Sequence, residues 1–321
     1  MSTASHSVDF VQAGQLVRQT PNLPLEHLPH VSRAAVECHE TESLQEMAAK
    51  EGVSATAVWT TPERLGAVGL LTPLPWDSVQ LGRPSGRIAA AYVEPDAPES
   101  VPAALFANLE QQMRGAGMRF ADFHAHVAHR PLFAGAAAHG FRLMTTHLVM
   151  VWDLRDWQPP FGPTCDLRLA EESDLPALED LAERAIPPFS RFAVDPILPP
   201  QAGATLFRAW AANSVRGYAD AVDVAVVEGR LAGYCTWRKQ AVDTADGKKE
   251  WGVLDLTGVD PEARDRGVFR SLAHRGLSRM AAQGIPFAQV ITDVMNTGMQ
   301  RACGLLGAKT LSARHTFHWH A

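Results

Sequence analysis

Apolar residues recur every three to four positions across "FRSLAHRGLSRMAAQG" (269–284), the spacing of a helix that buries one face, and "WGVLDLTGV" (251–259) directly before it reads as a strand. A further helix with an apolar stripe is predicted over "SRAAVECHETESLQEMAAKEG" (32–52). The pattern then repeats itself. "GAGMRFADFHAHV" (115–127) lines up with "AQGIPFAQVITDV" (282–294), and, without a gap, "HGFRLMTTHLVMVWDL" (139–154) falls on "LGAKTLSARHTFHWHA" (306–321), all at an offset of 167 residues. Gly140 thus matches Gly307, and Trp152 matches Trp319. Each copy reads as helix, glycine, strand, short helix, glycine, long strand, which predicts a mixed α/β unit duplicated in tandem.

Between the copies "DWQPPFGPTC" (156–165) is rich in Pro and Gly and marks a boundary. The predicted organisation is an N-terminal extension over 1–70 with no assigned role, a first α/β domain over 71–158, and a second over 159–321. A length of 321 residues and a 46% hydrophobic content suffice for two cores.

Charge narrows the range of partners. A net charge of -6 argues against a nucleic-acid surface, because binding through counterion release needs a sustained basic face. The apolar runs "LFAGAAA" and "GRIAAAYV" fall short of the roughly 20 residues that span a bilayer, and "MSTASHSVDF" lacks a basic-then-apolar leader pattern, so a cytoplasmic protein is expected. Cys38, Cys165, Cys235 and Cys303 lack C-x-x-C spacing, which favours reduced, unpaired thiols.

The turn "DPEARDRGVFRSL" (260–272) carries the first candidate chemistry. A helix start offers backbone N–H groups without intrahelical partners, a natural seat for an anion; Gly267 lets a phosphate approach, and Arg264, Arg266 and Arg270 add charge. The first copy has Ala97, Glu99 and Ser100 where the second has Arg264, Arg266 and Gly267, so only the second is expected to cradle a phosphate.

These parts together, "VLDLTGV", "RDRGVF", "LAHRGLSRMAAQG", "FAQVITDVMN" and "TGMQRACGLLGA", resemble the GNAT N-acetyltransferases, whose R-x-x-G-x loop follows a strand and opens a long helix. "FSRFAVDPILPPQAGATLFRAWAANSVRGYAD" (189–220) resembles the SRF…W-x-x-N…RG segment of the TDP-fucosamine acetyltransferase group, and "LPWDSVQLGRPSGRI" is similar to that group's degenerate N-terminal domain. The resemblance covers about residues 71–321. It implies tandem GNAT-like domains with the first copy degenerate, and acetyl-CoA as co-substrate with no metal. The implied acceptor is a small-molecule amine on a nucleotide-linked sugar; neither nucleic acid nor membrane is implied, and a homodimer is left open. Implied for the cofactor are Thr257, Gly258 and Val259 through their main chains, the loop Arg264, Arg266, Gly267, Val268, Phe269 and Arg270, and Asn296 through its amide. Arg191, Phe192, Trp210 and Asn213 are implied for the substrate: an arginine for diphosphate, aromatic rings for a base or sugar face, an amide for hydroxyls. By spacing alone Phe192 and Trp210 read as core.

Two positions depart from the family pattern. Phe269 stands where a small residue is usual, and "NTGMQRAC" places Cys303 in the slot of the tyrosine that the family is thought to use as general acid.

Acetyl transfer to an amine needs a neutral amine, a polarised carbonyl and a proton for the departing thiolate. Asp255, expected by alternation on one strand face with Thr257 and Val259, is the first candidate base, set against a plain ion pair with a neighbouring arginine. Asp293 is the second, set against a strand-end cap. Asn296 also reads as an ordinary helix N-cap. Cys303 reads as packing rather than as a nucleophile. "HAHVAH" and "HTFHWH" read as strand and loop histidines rather than metal ligands. The alternatives are acyl transfer to another small amine, such as an amino acid or aminoglycoside, and an acetyl-CoA-binding protein without turnover.

Overall fold

The computed structural model describes residues 8–321 except 187 and 189, so residues 1–7 of the leader reading and Phe189 of the family-like segment lie outside the described residues. Along the chain run α1 (Phe10–Gln19), α2 (Arg33–Ala48), β1 (Ser54–Thr61), β2 (Arg64–Pro73), α3 (Pro75–Leu81), β3 (Ser85–Val93), α4 (Ser100–Gly115), β4 (Phe120–His126), α5 (Arg130–Ala138) and β5 (Arg142–Asp153). There follow β6 (Asp166–Leu169), α6 (Leu175–Ala185), α7 (Ala202–Asn213), β7 (Ala221–Val227), β8 (Arg230–Val242), β9 (Lys249–Val259), α8 (Val268–Ala282), β10 (Phe287–Asp293), α9 (Thr297–Leu305) and β11 (Lys309–His320).

The offset read from the sequence holds in the elements. β4, α5 and β5 fall on β10, α9 and β11 residue for residue at both ends. The turn glycines follow suit: Gly140 and Gly307 have φ of 79° and 90°, Gly117 and Gly284 of 69° and 76°, values that a side chain strains.

The chain forms two compact units. One holds the residues to Thr145 with Asp243–Gly247 and Arg314–Ala321; the other holds Thr146–Val242 and Lys248–Ala313. In the first unit the strand order is β1-β2-β3-β4-β11, antiparallel except for β3 with β4. In the second it is β5-β10-β9-β8-β7-β6, antiparallel except for β9 with β10. The final strand of each copy therefore serves the unit of the other: the first copy's Trp152 is in the second core, and Trp319 is in the first.

This places the divisions differently from the sequence reading. Residue 70 lies inside β2, whose Ala67, Val68, Leu70 and Leu71 are buried, so residues 8–70 are part of the first unit instead of an extension. The second unit begins at Thr146, within β5, because that strand pairs with β10 from Asp153↔Phe287 to His147↔Asp293.

Two contacts seat α8 on the second sheet. A Cβ at Gly276 would lie 2.1 Å from the Trp237 ring, so glycine there lets the helix backbone meet the indole. Asp223 of β7, wholly buried, accepts hydrogen bonds from Arg275 (2.9 Å) and Arg279 (2.6 and 2.9 Å). Removing a buried charge's partners is costly, so this pairing holds the helix in one register. Among the described residues no helix is long and apolar enough to cross a membrane.

Candidate active site

β9 pairs with β8 along its whole length but with β10 at only three rungs, ending at Leu254↔Val290. Where β10 leaves, β9 carries a bulge. Leu254 faces Trp237 and Leu256 faces Thr236, so Asp255 is an extra residue without a cross-strand partner. Beyond it Leu256 N–H donates to Thr236 Oγ1 (3.0 Å) and Asp260 N–H to Ala232 O (2.9 Å), both toward β8. Alternation turns the amides of Thr257 and Val259 the other way, to the edge that β10 has left. Of the three residues expected to act through their main chains, Gly258 thus spends its amide on β8.

The bulge also corrects the expected sharing of a face by Asp255 and Thr257. Thr257 Oγ1 donates to Tyr234 O (2.8 Å) and lies 3.2 Å from Cys235 Sγ, while Asp255 turns to Arg238. A strictly alternating strand would have put both on one side; one inserted residue reverses the phase.

The loop from β9 into α8 has the shape that its sequence suggests. Asp265 and Gly267 have φ of 62° and 80°, and Gly267 is the N-cap of α8. Its glycine is required twice over, since a Cβ there would lie 2.8 Å from Thr164 Oγ1. That hydroxyl donates to Arg266 O (3.1 Å), and Thr164 N–H donates to Ser271 Oγ (2.9 Å), which ties the Pro- and Gly-rich segment to the loop. Arg264 and Arg266 are exposed, and the Arg270 guanidinium lies 5.0 Å from the Phe161 ring. Val268 is buried, and Phe269 packs against the core of the second unit, so the bulky residue at the usually small position points inward. The counterpart helix α4 starts after Glu99 in ordinary helical conformation and carries Pro102, which lacks an N–H, in its first turn.

The catalytic candidates are all engaged. Asp255 pairs with Arg238, its Oδ1 accepting from Nη2 at 3.0 Å with a second, Nε bond to Oδ2, and the guanidinium lies 4.8 Å from the Tyr218 ring. The plain ion-pair reading is thus what the side chain does. Asp293 Oδ1 accepts from Met295 N–H (2.7 Å), a strand-end turn, and Asn296 Oδ1 accepts from Met299 N–H (3.2 Å) as the N-cap of α9. Cys303 is fully buried in the same core as Cys235, and burial pushes its thiol up to about 12.

For the substrate candidates, Arg191 lays its guanidinium 4.6 Å from the ring of Phe192. Phe192 meets Phe207 edge-on (6.1 Å), and Phe207 stacks with Trp210 (6.3 Å, 14°). This is the core role that spacing alone suggested for Phe192, which is buried. Asn213 ends α7, half-buried, where the chain passes into a wide π-turn, Ser214–Tyr218, with Gly217 at φ 109°. Of the histidines, His124 contacts Thr316 Oγ1 (2.9 Å) and Asp122 Oδ2 (3.3 Å), and His318 packs edge-on against Phe120 (4.8 Å). Missed from sequence were Arg238, Tyr218, Tyr234 and Thr164, whose partners are distant in the chain.

No family profile matches this sequence, and no curated protein matches it either. Solved structures do match in shape. A GCN5-related N-acetyltransferase from Sphaerobacter thermophilus aligns with a TM-score of 0.58 at 17% identity, over 87% of this chain and 84% of that one. A tandem GNAT protein from the clavulanic acid biosynthesis pathway aligns with a TM-score of 0.54 at 16% identity, over 97% and 94% of the two chains. A GCN5-related glucosamine N-acetyltransferase region of a fungal multi-domain β-N-acetylglucosaminidase aligns with a TM-score of 0.63 at 12% identity, over 97% of this chain and 37% of that one. The chain therefore has a mixed α/β, tandem GNAT-like fold.

Proposed function

We propose that the second copy binds acetyl-CoA and transfers its acetyl group to a primary amine, that of a nucleotide-linked amino sugar. The observation that carries this reading is the parting of β9 from β10 past Leu254↔Val290, which leaves the Thr257 and Val259 amides at an open edge beside the start of α8. A thioester carbonyl against those amides is polarised, and pyrophosphate at the N–H groups from Gly267 to Arg270, with Arg264 and Arg266 beside it, meets both dipole and charge. The residues present fit acetyl-CoA as a substrate.

In this reading the amine nitrogen bonds to the carbonyl carbon and the carbon–sulfur bond breaks. Asp255, aimed by Arg238, takes the amine's proton directly or through water; Asp293 is the second candidate. With Cys303 a packing residue, the leaving thiolate takes its proton from water. The first copy, without a glycine-capped helix start, is structural.

The amino-sugar acceptor rests on the SRF and W-x-x-N likeness, and the fungal structure's description as a glucosamine N-acetyltransferase region agrees with it. Arg191 and Asn213 are assigned to that acceptor, so Arg191→Ala and Asn213→Ala raise its KM far more than that of acetyl-CoA. The core position of Cys303 favours a second reading, an acetyl-CoA-binding protein without turnover. Calorimetry with acetyl-CoA followed by a thiol-trapping assay with TDP- and UDP-linked amino sugars, amino acids and aminoglycosides decides among them. Free CoA released only with the sugars supports the first reading, and binding without release supports the second.

A further inference from the structure

Tyr234 of β8 stands directly opposite Gly258 of β9 and is wholly buried. A Cβ on Gly258 would lie 2.9 Å from Tyr234 Cε1 but 3.6 Å from Cδ1, with Ala185 Cβ at 3.4 Å. The outer half of the ring is thus the nearer half: the side chain rises from β8 beneath α6 and leans across the space that glycine leaves over β9. Covering a cross-strand glycine with an aromatic ring is a packing device that phenylalanine performs equally well.

The hydroxyl is what packing does not explain. Tyr234 Oη is buried with no hydrogen-bond partner, the one hydroxyl among the described residues of which this is so. Leaving a buried hydroxyl unbonded costs the fold the desolvation of that group with nothing in return. Burial holds its pKa well above the ordinary tyrosine value, so it is a neutral O–H with a hydrogen to give. The ring leans over Gly258 of β9, and the residues that flank that glycine, Thr257 and Val259, are those whose amides face the edge left by β10.

We propose that Tyr234 Oη is a side-chain hydrogen-bond donor to the carbonyl oxygen of the transferred acyl group, and so a catalytic residue of the reaction. This rests on the function proposed above. As the amine nitrogen bonds to the carbonyl carbon and the carbon–sulfur bond weakens, negative charge gathers on the carbonyl oxygen; a fixed donor stabilises that charge without parting with its proton. The amine's proton still leaves through Asp255, and the thiolate still takes one from water.

The test compares wild type with Tyr234→Phe, which keeps the ring and removes the donor. With acetyl-CoA carrying carbon-13 at its carbonyl, isotope-edited infrared spectra of the bound molecule report hydrogen bonding at that oxygen. A lower carbonyl frequency in the wild type than in Tyr234→Phe is expected, with equal acetyl-CoA affinity and a Tm in the variant no lower than wild type. Where turnover is measured, kcat falls by about 10²-fold or more, the usual effect of removing one such donor. Identical carbonyl bands overturn the proposal, as does a Tm loss of several degrees, which would show the hydroxyl bonded within the fold. A wild-type protein that binds no acetyl-CoA overturns the proposed function itself.

Discussion

Asp255 and Arg238 meet across β9 and β8, guanidinium to carboxylate at two atoms, with the ring of Tyr218 beneath the arginine. Arg238 holds the carboxylate in one orientation and supplies the charge opposite it. Arg238→Met should release the Asp255 carboxylate from that orientation and lower kcat by about tenfold or more with acetyl-CoA affinity unchanged. An unchanged kcat in Arg238→Met and in Asp255→Asn would remove Asp255 from the role of base.

Gly267 is constrained by a positive φ and by Thr164. Gly267→Ala should cost about 1–2 kcal/mol of stability, from left-handed backbone and the close approach of Thr164 Oγ1 together. Adding Thr164→Ala should return the part due to the contact. Denaturant unfolding of the single and double variants separates the two causes, and equal stabilities would show the contact to be without consequence.

Acetyl-CoA should bind once per chain. α8 begins at a left-handed glycine, whereas α4 begins at Glu99 with a proline in its first turn. Arg266→Glu should weaken binding at least tenfold by setting a carboxylate against pyrophosphate, and Glu99→Arg should leave it unchanged. A calorimetric stoichiometry near two would contradict this.

Cys303 should behave as a packing residue with a pH signature. Its thiol is held at about 12 by burial, above the value of about 8.5 in an unfolded chain. Because the folded pKa is the raised one, the stabilisation is complete below about pH 8.5 and is lost as pH rises toward 12. Cys303→Ala should therefore flatten the fall of Tm between pH 8.5 and 11 while keeping kcat within a few fold. Native thiol titration should find Cys38, which is exposed, far ahead of Cys303. A hundredfold loss of kcat in Cys303→Ala with intact acetyl-CoA affinity would make the thiol catalytic.

The periodicity carried the repeat, the turn glycines and the loop into α8, because helix spacing and glycine placement are local properties of the chain. The site was less legible for a physical reason: it depends on one inserted residue. Alternation set Asp255 beside Thr257, but the bulge between Leu254 and Leu256 turned the carboxylate to Arg238, and nothing in "VLDLTGV" marks that insertion. Asp293 and Asn296 show the complementary limit. Each was read as chemistry or as a cap, and in the structure their carboxylate and amide oxygens are bonded to backbone N–H groups two and three residues on.

The crossed assignment of the last strands bears on dissection of the chain. β5 from the first copy pairs with β10, and the end of β11 from the second copy pairs with β4. A fragment cut at the Pro- and Gly-rich segment would strip β10 of its neighbour and bare a row of unpaired backbone groups, a template for association. Two identical fragments could each lend the other the missing strand. In the tandem chain each copy supplies a strand to the unit of the other, so one copy can diverge in its loops while still completing the other's sheet.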